Sequence, residues 1–265
     1  MWDDYSAEAL DVEVKANGVA TVWLSRERSL NAMNGAMVQE LGEVFGALGE
    51  DRQVRVVILG ARGDKAFCVG ADLKEREGMS EDEVRRRIAS YRRVFRMIER
   101  NDKPTIAAVQ GYAFGGGLEL AMACDLRVMA EEASVGLTEL KLGIIPGAGG
   151  TQRLSRLVGA ARAKELIFRA ARISGERAAD LGLANVAVPE ATVMDKCHQW
   201  AEEMLESAPI ALAQAKRAID AGSEVDLETG LDIEAAAYAV TIPTEDRKEG
   251  LQAFKEKRKP DYQGR

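Results

Sequence analysis

A single histidine, His198, stands in a chain of 265 residues. A Ser-His-Asp or Cys-His arrangement would have to use it, and its neighbours Lys196, Cys197 and Gln199 read as an ordinary helix surface. Acid–base chemistry therefore falls to carboxylates. Cysteine is scarce as well: Cys68, Cys124 and Cys197 are odd in number, widely spaced and form no C-x-x-C pair, which argues against a disulfide framework and a zinc site. A reducing cytoplasm fits this usage. The acidic start, Met1 to Tyr5, is unlike a basic secretory signal or an Arg-rich transit peptide. No apolar run approaches the ~20 residues of a membrane span. Basic residues are the minority, 36 against 43 acidic, and a chain of charge −7 has no general attraction for nucleic acid or anionic lipid. No segment matches a dinucleotide or metal signature, so no cofactor and no metal are expected.

With 46% hydrophobic and 30% charged residues, the chain has the composition of a globular protein long enough to bury a full core. Asn17-Gly18 between Asp11–Lys15 and Val19–Leu24 signals a hairpin. A helix is expected over Gly35–Gly49, with Met37, Leu41, Val44, Phe45 and Leu48 on one face, and a buried strand over Val54–Leu59. After a glycine-bearing loop from Arg62 to Asp72 comes a long helix, Glu81–Arg100, with Val84, Ile88, Tyr91, Phe95 and Ile98 at helical spacing. Strands at Thr105–Val109, Leu126–Met129 and Asn185–Val188 alternate with helical segments, which predicts an α/β fold with a layered core. From Val193 the pattern is helical, with segments to Ser207 and over Pro209–Ala221, Leu227–Val240 and Glu245–Lys257. The shift places a boundary near residue 200, between a core of residues 1–200 and a helical region of residues 201–265. So small a helical region needs neighbours to pack on.

The chain is organised around Thr105 to Arg153. There an apolar run leads through Gly111 to three consecutive glycines, Gly115, Gly116 and Gly117, and then to the helical Leu118–Ala123. Such a turn lets a ligand approach the backbone, and the first N–H groups of the next helix are free to bind developing negative charge. A glycine turn used only for close packing has the same sequence. Glu119 falls inside an otherwise apolar segment, where an unpaired carboxylate is unfavourable. Glu139 lies between apolar neighbours just before the turn-rich Ile145–Gly150. Two carboxylates near an oxyanion site suggest paired acid–base work.

Three ordered segments, Phe67–Lys74, Gly111–Ala121 and Ile145–Arg153, resemble the enoyl-CoA hydratase/isomerase (crotonase) superfamily. The resemblance implies a spiral of β-β-α turns followed by a C-terminal helical trimerisation region, and a homo-oligomer that is a trimer or a dimer of trimers. It implies addition of water to a 2-enoyl-CoA thioester, or the reverse, with coenzyme A arriving as part of the substrate. Carried over by residue, the oxyanion hole is the N–H groups of Ala71 and Gly116, with Glu119 and Glu139 gripping one water. Asp72, Leu73 and Lys74 fall in the loop that wraps coenzyme A, and Arg28 and Lys65 match positions that present it a cation. Tyr238 and Lys257 reach the coenzyme A of an adjacent subunit.

Within the superfamily, Ala71–Arg76, Glu224–Leu231, Thr241–Arg247 and Ala253–Arg258 look closest to methylglutaconyl-CoA hydratases, a subgroup that includes an AU-rich RNA-binding homologue. RNA is not expected to bind here. The first helix carries Glu40, Glu43, Glu50 and Asp51 against Arg52 alone, and the Arg-rich stripe from Arg85 to Arg100 reads as a solvated or subunit-contacting face. A glutaconyl substrate ends in a carboxylate that needs a cation or donor, and Arg76 and Lys141 are the candidates nearest the motifs.

Overall fold

The computed structural model describes residues 2, 5 and 7–265. The opening hairpin pairs β1 (Leu10–Val14) with β2 (Val19–Leu24) across Asn17-Gly18, where Gly18 takes the left-handed conformation at φ 95°. Helix α1 (Gly35–Glu50) starts at Asn34, whose side chain accepts the Met37 N–H, and it buries all five of the expected apolar residues. The apolar run that follows is β3 (Val56–Ala61), buried along its whole length as a parallel strand covered on both faces must be.

Next come β4 (Ala66–Cys68), a one-turn α2 (Leu73–Arg76) and the long α3 (Glu81–Glu99). Ser80 and Glu83 close a capping box at the start of α3, satisfying two backbone donors at once. The following turns give β5 (Thr105–Val109), β6 (Tyr112–Phe114) and α4 (Gly116–Ala121), then β7 (Leu126–Ala130), β8 (Ser134–Gly136), α5 (Gly150–Val158) and α6 (Ala160–Phe168). A short β9 (Ile173–Ser174), α7 (Gly175–Asp180), β10 (Val186–Val188) and α8 (Val193–Leu205) complete the body.

The strands form two sheets, ordered β1-β2-β3-β5-β7-β10 and β4-β6-β8-β9. Successive turns feed both sheets in parallel before a helix returns the chain, which is the spiral of β-β-α turns that the resemblance implied. The sequence reading assigned no strand at β4, β6 or β8. Three residues are too few for alternation to register, and these strands are held by parallel neighbours rather than by their own pattern. Nor does the sequence pattern by itself mark α5 or α6.

The expected change at residues 200/201 falls inside α8, where Val193, Cys197 and Ala201 are buried against the larger sheet, so this helix is part of the core. The chain departs from the body at α9 (Pro209–Gly222), α10 (Leu227–Thr241) and α11 (Glu245–Glu256). The first two pack on each other with Gly222 against Gly230 at their turn. The start of α11 is closed by the chain end, because the Arg265 carbonyl accepts from the N–H groups of Glu245 and Asp246. Leu227, Tyr238 and Phe254 on these helices are 78%, 64% and 87% exposed. Among the described residues no helix is long and apolar enough to cross a membrane.

Candidate active site

Strands β4, β6 and β8 are parallel neighbours, so the chain leaves all three at the same edge of the smaller sheet. Just past those ends come Ala71, Gly116 and Glu139. Loops at the C-terminal ends of parallel strands converge, and here three turns of the spiral bring residues far apart in sequence to one place.

Ala71 is fixed by its bridge to Met33: the Met33 N–H donates to the Gly70 carbonyl at 2.8 Å and the Asp72 N–H to the Met33 carbonyl at 3.0 Å. Its own N–H is left over. Gly116 opens α4, where the first N–H groups lack intrahelical acceptors. Among the described residues neither amide finds an acceptor. The two lie close together: a Cβ on Gly116 would sit 3.8 Å from the Ala71 nitrogen, and one on Gly70 3.2 Å from the Gly116 nitrogen. The two readings of the triple glycine divide between its members. Gly117 serves packing, since a Cβ there would lie 2.0 Å from the Cys68 carbonyl oxygen, while Gly116 offers its amide.

Glu119, one turn along α4, is 3% exposed. Its Oε1 accepts the N–H groups of Ala148 at 2.8 Å and Gly150 at 2.7 Å. Burial raises its pKa, and the two amides together with the Arg153 charge oppose that rise. Glu139 opens a single 3-10 turn, Glu139–Leu142, and its buried Oε2 has no partner among the described residues. Burial, reinforced by the Glu119 charge, pushes its carboxyl up to about 7. Its Oε1 lies 3.2 Å from where a Cβ on Gly115 would stand, so the carboxyl reaches the turn that presents Gly116. One carboxylate is stabilised by fixed donors and its neighbour is held ready to be protonated near neutrality.

The other expected contacts are more dispersed. The Asp72 carboxylate caps α2 by accepting the Lys74 and Glu75 N–H groups and pairs with Arg26 at 3.0 Å, which gives it a local structural task. Leu73 and Lys74 are exposed on α2, while Arg76 is half-buried and lines a small cavity beside Ala71 with Met79, Val84, Ile88 and Tyr91. Arg28, Lys65 and Lys141 are exposed. Tyr238 on α10 and Lys257, the left-handed residue closing α11, are exposed as well. The sequence reading missed Arg26, which ties the Ala71 loop to the Ala32 carbonyl, and the two amides that hold Glu119. An isolated arginine before a short turn carries no sequence signal of that kind, and backbone donors carry none at all.

Paired free amides beside one buried and one half-buried carboxylate suit a carbonyl that gains negative charge while a proton moves beside it. The chain matches the enoyl-CoA hydratase/isomerase family model over residues 14–265. It is 47% identical to the enoyl-CoA hydratase domain-containing protein 2, mitochondrial, of Homo sapiens, across 99% of this chain and 93% of that one. It is 46% identical to the methylglutaconyl-CoA hydratase, mitochondrial, of Homo sapiens, across 96% of this chain and 76% of that one. A crystal structure of an enoyl-CoA hydratase from Bacillus anthracis superposes with a TM-score of 0.95 at 48% identity, covering 97% of this chain and 100% of the other. The chain therefore belongs to the enoyl-CoA hydratase/isomerase (crotonase) superfamily.

Proposed function

We propose that this protein adds water reversibly to 2-enoyl-CoA thioesters, and that its preferred pair is 3-methylglutaconyl-CoA and 3-hydroxy-3-methylglutaryl-CoA. The observation that carries the hydratase reading is the meeting of Glu119 and Glu139 beside the free amides of Ala71 and Gly116. The thioester oxygen lies between the two amides, which stabilise it as an enolate forms; a single donor of this kind is typically worth about 10²–10³ in rate. Glu119 takes a proton from the water that attacks the β carbon, and Glu139 gives its proton to the α carbon. One water is consumed, and both its hydrogens are accounted for once the two carboxyls exchange a proton with each other or with solvent. A carboxyl pushed up to about 7 by burial suits the donor, and one held by two amides suits the base. The two titrate as a pair.

Support for the glutaconyl substrate comes from the 46% identical relative of that name and from Arg76, half-buried beside Ala71, as a cation for the distal carboxylate. The exposed Lys141 is the second candidate. The apolar residues left uncovered on α10 and α11 support a trimer-based oligomer in which Tyr238 and Lys257 contribute to a neighbour's coenzyme A site. The test of substrate choice is a panel of acyl-CoA thioesters followed by enoyl absorbance. The glutaconyl substrate is expected to have the higher kcat/KM, and Arg76→Met to depress it far more for this substrate than for crotonyl-CoA. A crotonyl preference of about a hundredfold or more, the size of discrimination that pocket contacts supply, would leave a general short-chain hydratase.

A further inference from the structure

We propose that Arg153, anchored by Glu99, is a positioning residue for Glu119: it locks the peptide unit lying between the two amides that hold the Glu119 carboxylate.

Arg153 sits in the first turns of α5, and its side chain folds back under the loop that precedes that helix. Its Nη1 donates to the Ala148 carbonyl at 2.8 Å. Its Nε and Nη2 donate to the two carboxylate oxygens of Glu99, at the end of α3, at 2.9 and 2.8 Å. This is the bidentate geometry that restrains a guanidinium in direction as well as distance, and the Arg153 side chain is 15% exposed. The Ala148 carbonyl belongs to the peptide joining residues 148 and 149. The amide that precedes it, at Ala148, and the amide that follows it, at Gly150, are the two donors to Glu119 Oε1. One side of this short loop is therefore held by Glu119 and the other by Arg153.

Gly149 makes the approach possible. Its φ is 111°, and a Cβ there would lie 2.1 Å from Arg153 Nη1, so only glycine lets the guanidinium lie against the backbone. The charges facing Glu119 are Arg153, with Glu99 behind it, and Glu139 across the site. Loss of Arg153 removes a cation that favours the Glu119 carboxylate and frees the loop that supplies its donors. Both effects displace the base from its line of attack and make it harder to ionise. Glu99→Gln keeps an amide oxygen that accepts from Arg153 and removes the anion that offsets its charge, so the two substitutions move the Glu119 titration in opposite directions.

Glu119's role as base rests on the hydratase reading; the positioning itself does not, and the experiment separates the two. The ¹³C-labelled Glu119 carboxyl, assigned by its disappearance in Glu119→Gln, is titrated in the full-length protein, wild type and variants, alongside steady-state kinetics. In Arg153→Met the carboxyl is expected to titrate at higher pH than in wild type, and in Glu99→Gln at lower pH. The kcat of Arg153→Met should fall about 10- to 100-fold, as a misplaced catalytic group does, with KM nearly unchanged. Its acid limb should move up in pH, and Arg153→Lys, which keeps a charge and a donor, should restore part of the loss. An unmoved Glu119 titration in both Arg153→Met and Glu99→Gln overturns the proposal, as does a kcat loss that Arg153→Lys does nothing to relieve. Should Arg153→Met fail to fold, a Glu119 carboxyl unmoved in Glu99→Gln together with Arg153→Lys turning over as fast as wild type overturns the proposal. A wild-type protein that hydrates no enoyl thioester defeats the functional reading instead, and leaves the titration result standing.

Discussion

The Glu139 carboxyl, free in the unfolded chain, titrates at the ordinary 4.5, and in the fold burial and the Glu119 charge push it up to about 7. Between those values the folded protein holds a proton that the unfolded chain releases. The contribution to stability is therefore fully present below the lower value and is lost as pH rises through the upper one. Replacement by glutamine removes the charge while keeping the volume. Glu139→Gln is thus expected to melt at higher temperature than wild type near about pH 8, with the gap narrowing toward about pH 5, an ordinary outcome where a site is strained for activity. Equal melting temperatures across that range, followed by calorimetry, would mean the carboxylate is not penalised in the fold. Glu119 is raised by burial as well, but two amides and the Arg153 charge oppose that rise.

The elements that carry a repeating pattern were readable from the sequence. The apolar spacing of α1, the β-branched run of β3 and the Asn17-Gly18 hairpin each state their own structure locally. So did Glu119 and Glu139, since carboxylates in apolar segments need a reason to be there. What could not be read was who answers them: Ala148 and Gly150 lie 29 and 31 residues from Glu119, and backbone amides have no letter in the sequence. Strands β4, β6 and β8, which gather the site, are too short to announce themselves. At the other end of the chain, α10 and α11 carry Leu227, Leu231, Tyr238 and Phe254 in the open, although α9 and α10 already cover part of each other. Side chains of this size are covered in most proteins when they cluster. Light scattering at micromolar concentration is expected to give a trimer or a multiple of one; a stable monomer would contradict the assignment of these helices to subunit contacts.

For the molecule as a whole, the spiral does for chemistry what a single loop cannot. Each turn places one strand end at the same edge, and the amide at Ala71, the amide at Gly116 and the carboxyl of Glu139 come from consecutive turns, with Glu119 supplied by the helix that leaves the second. The large sheet and its helices share one buried core with that edge, and donors fixed in advance are what stabilises developing charge. Family membership accounts for the fold and for thioester chemistry, while the hydration we propose rests on both carboxyls acting together. The measurement that bears on this most directly is hydration of a 2-enoyl-CoA by wild type, Glu119→Gln and Glu139→Gln, read as gain of one water by mass, with acyl-CoA affinity measured beside it. Wild type should add the water, and each variant should be slower by about 10²–10⁴ while still binding the thioester. Either variant retaining more than about a tenth of wild-type turnover, far above what loss of a general acid or base leaves, would contradict the two-carboxyl account.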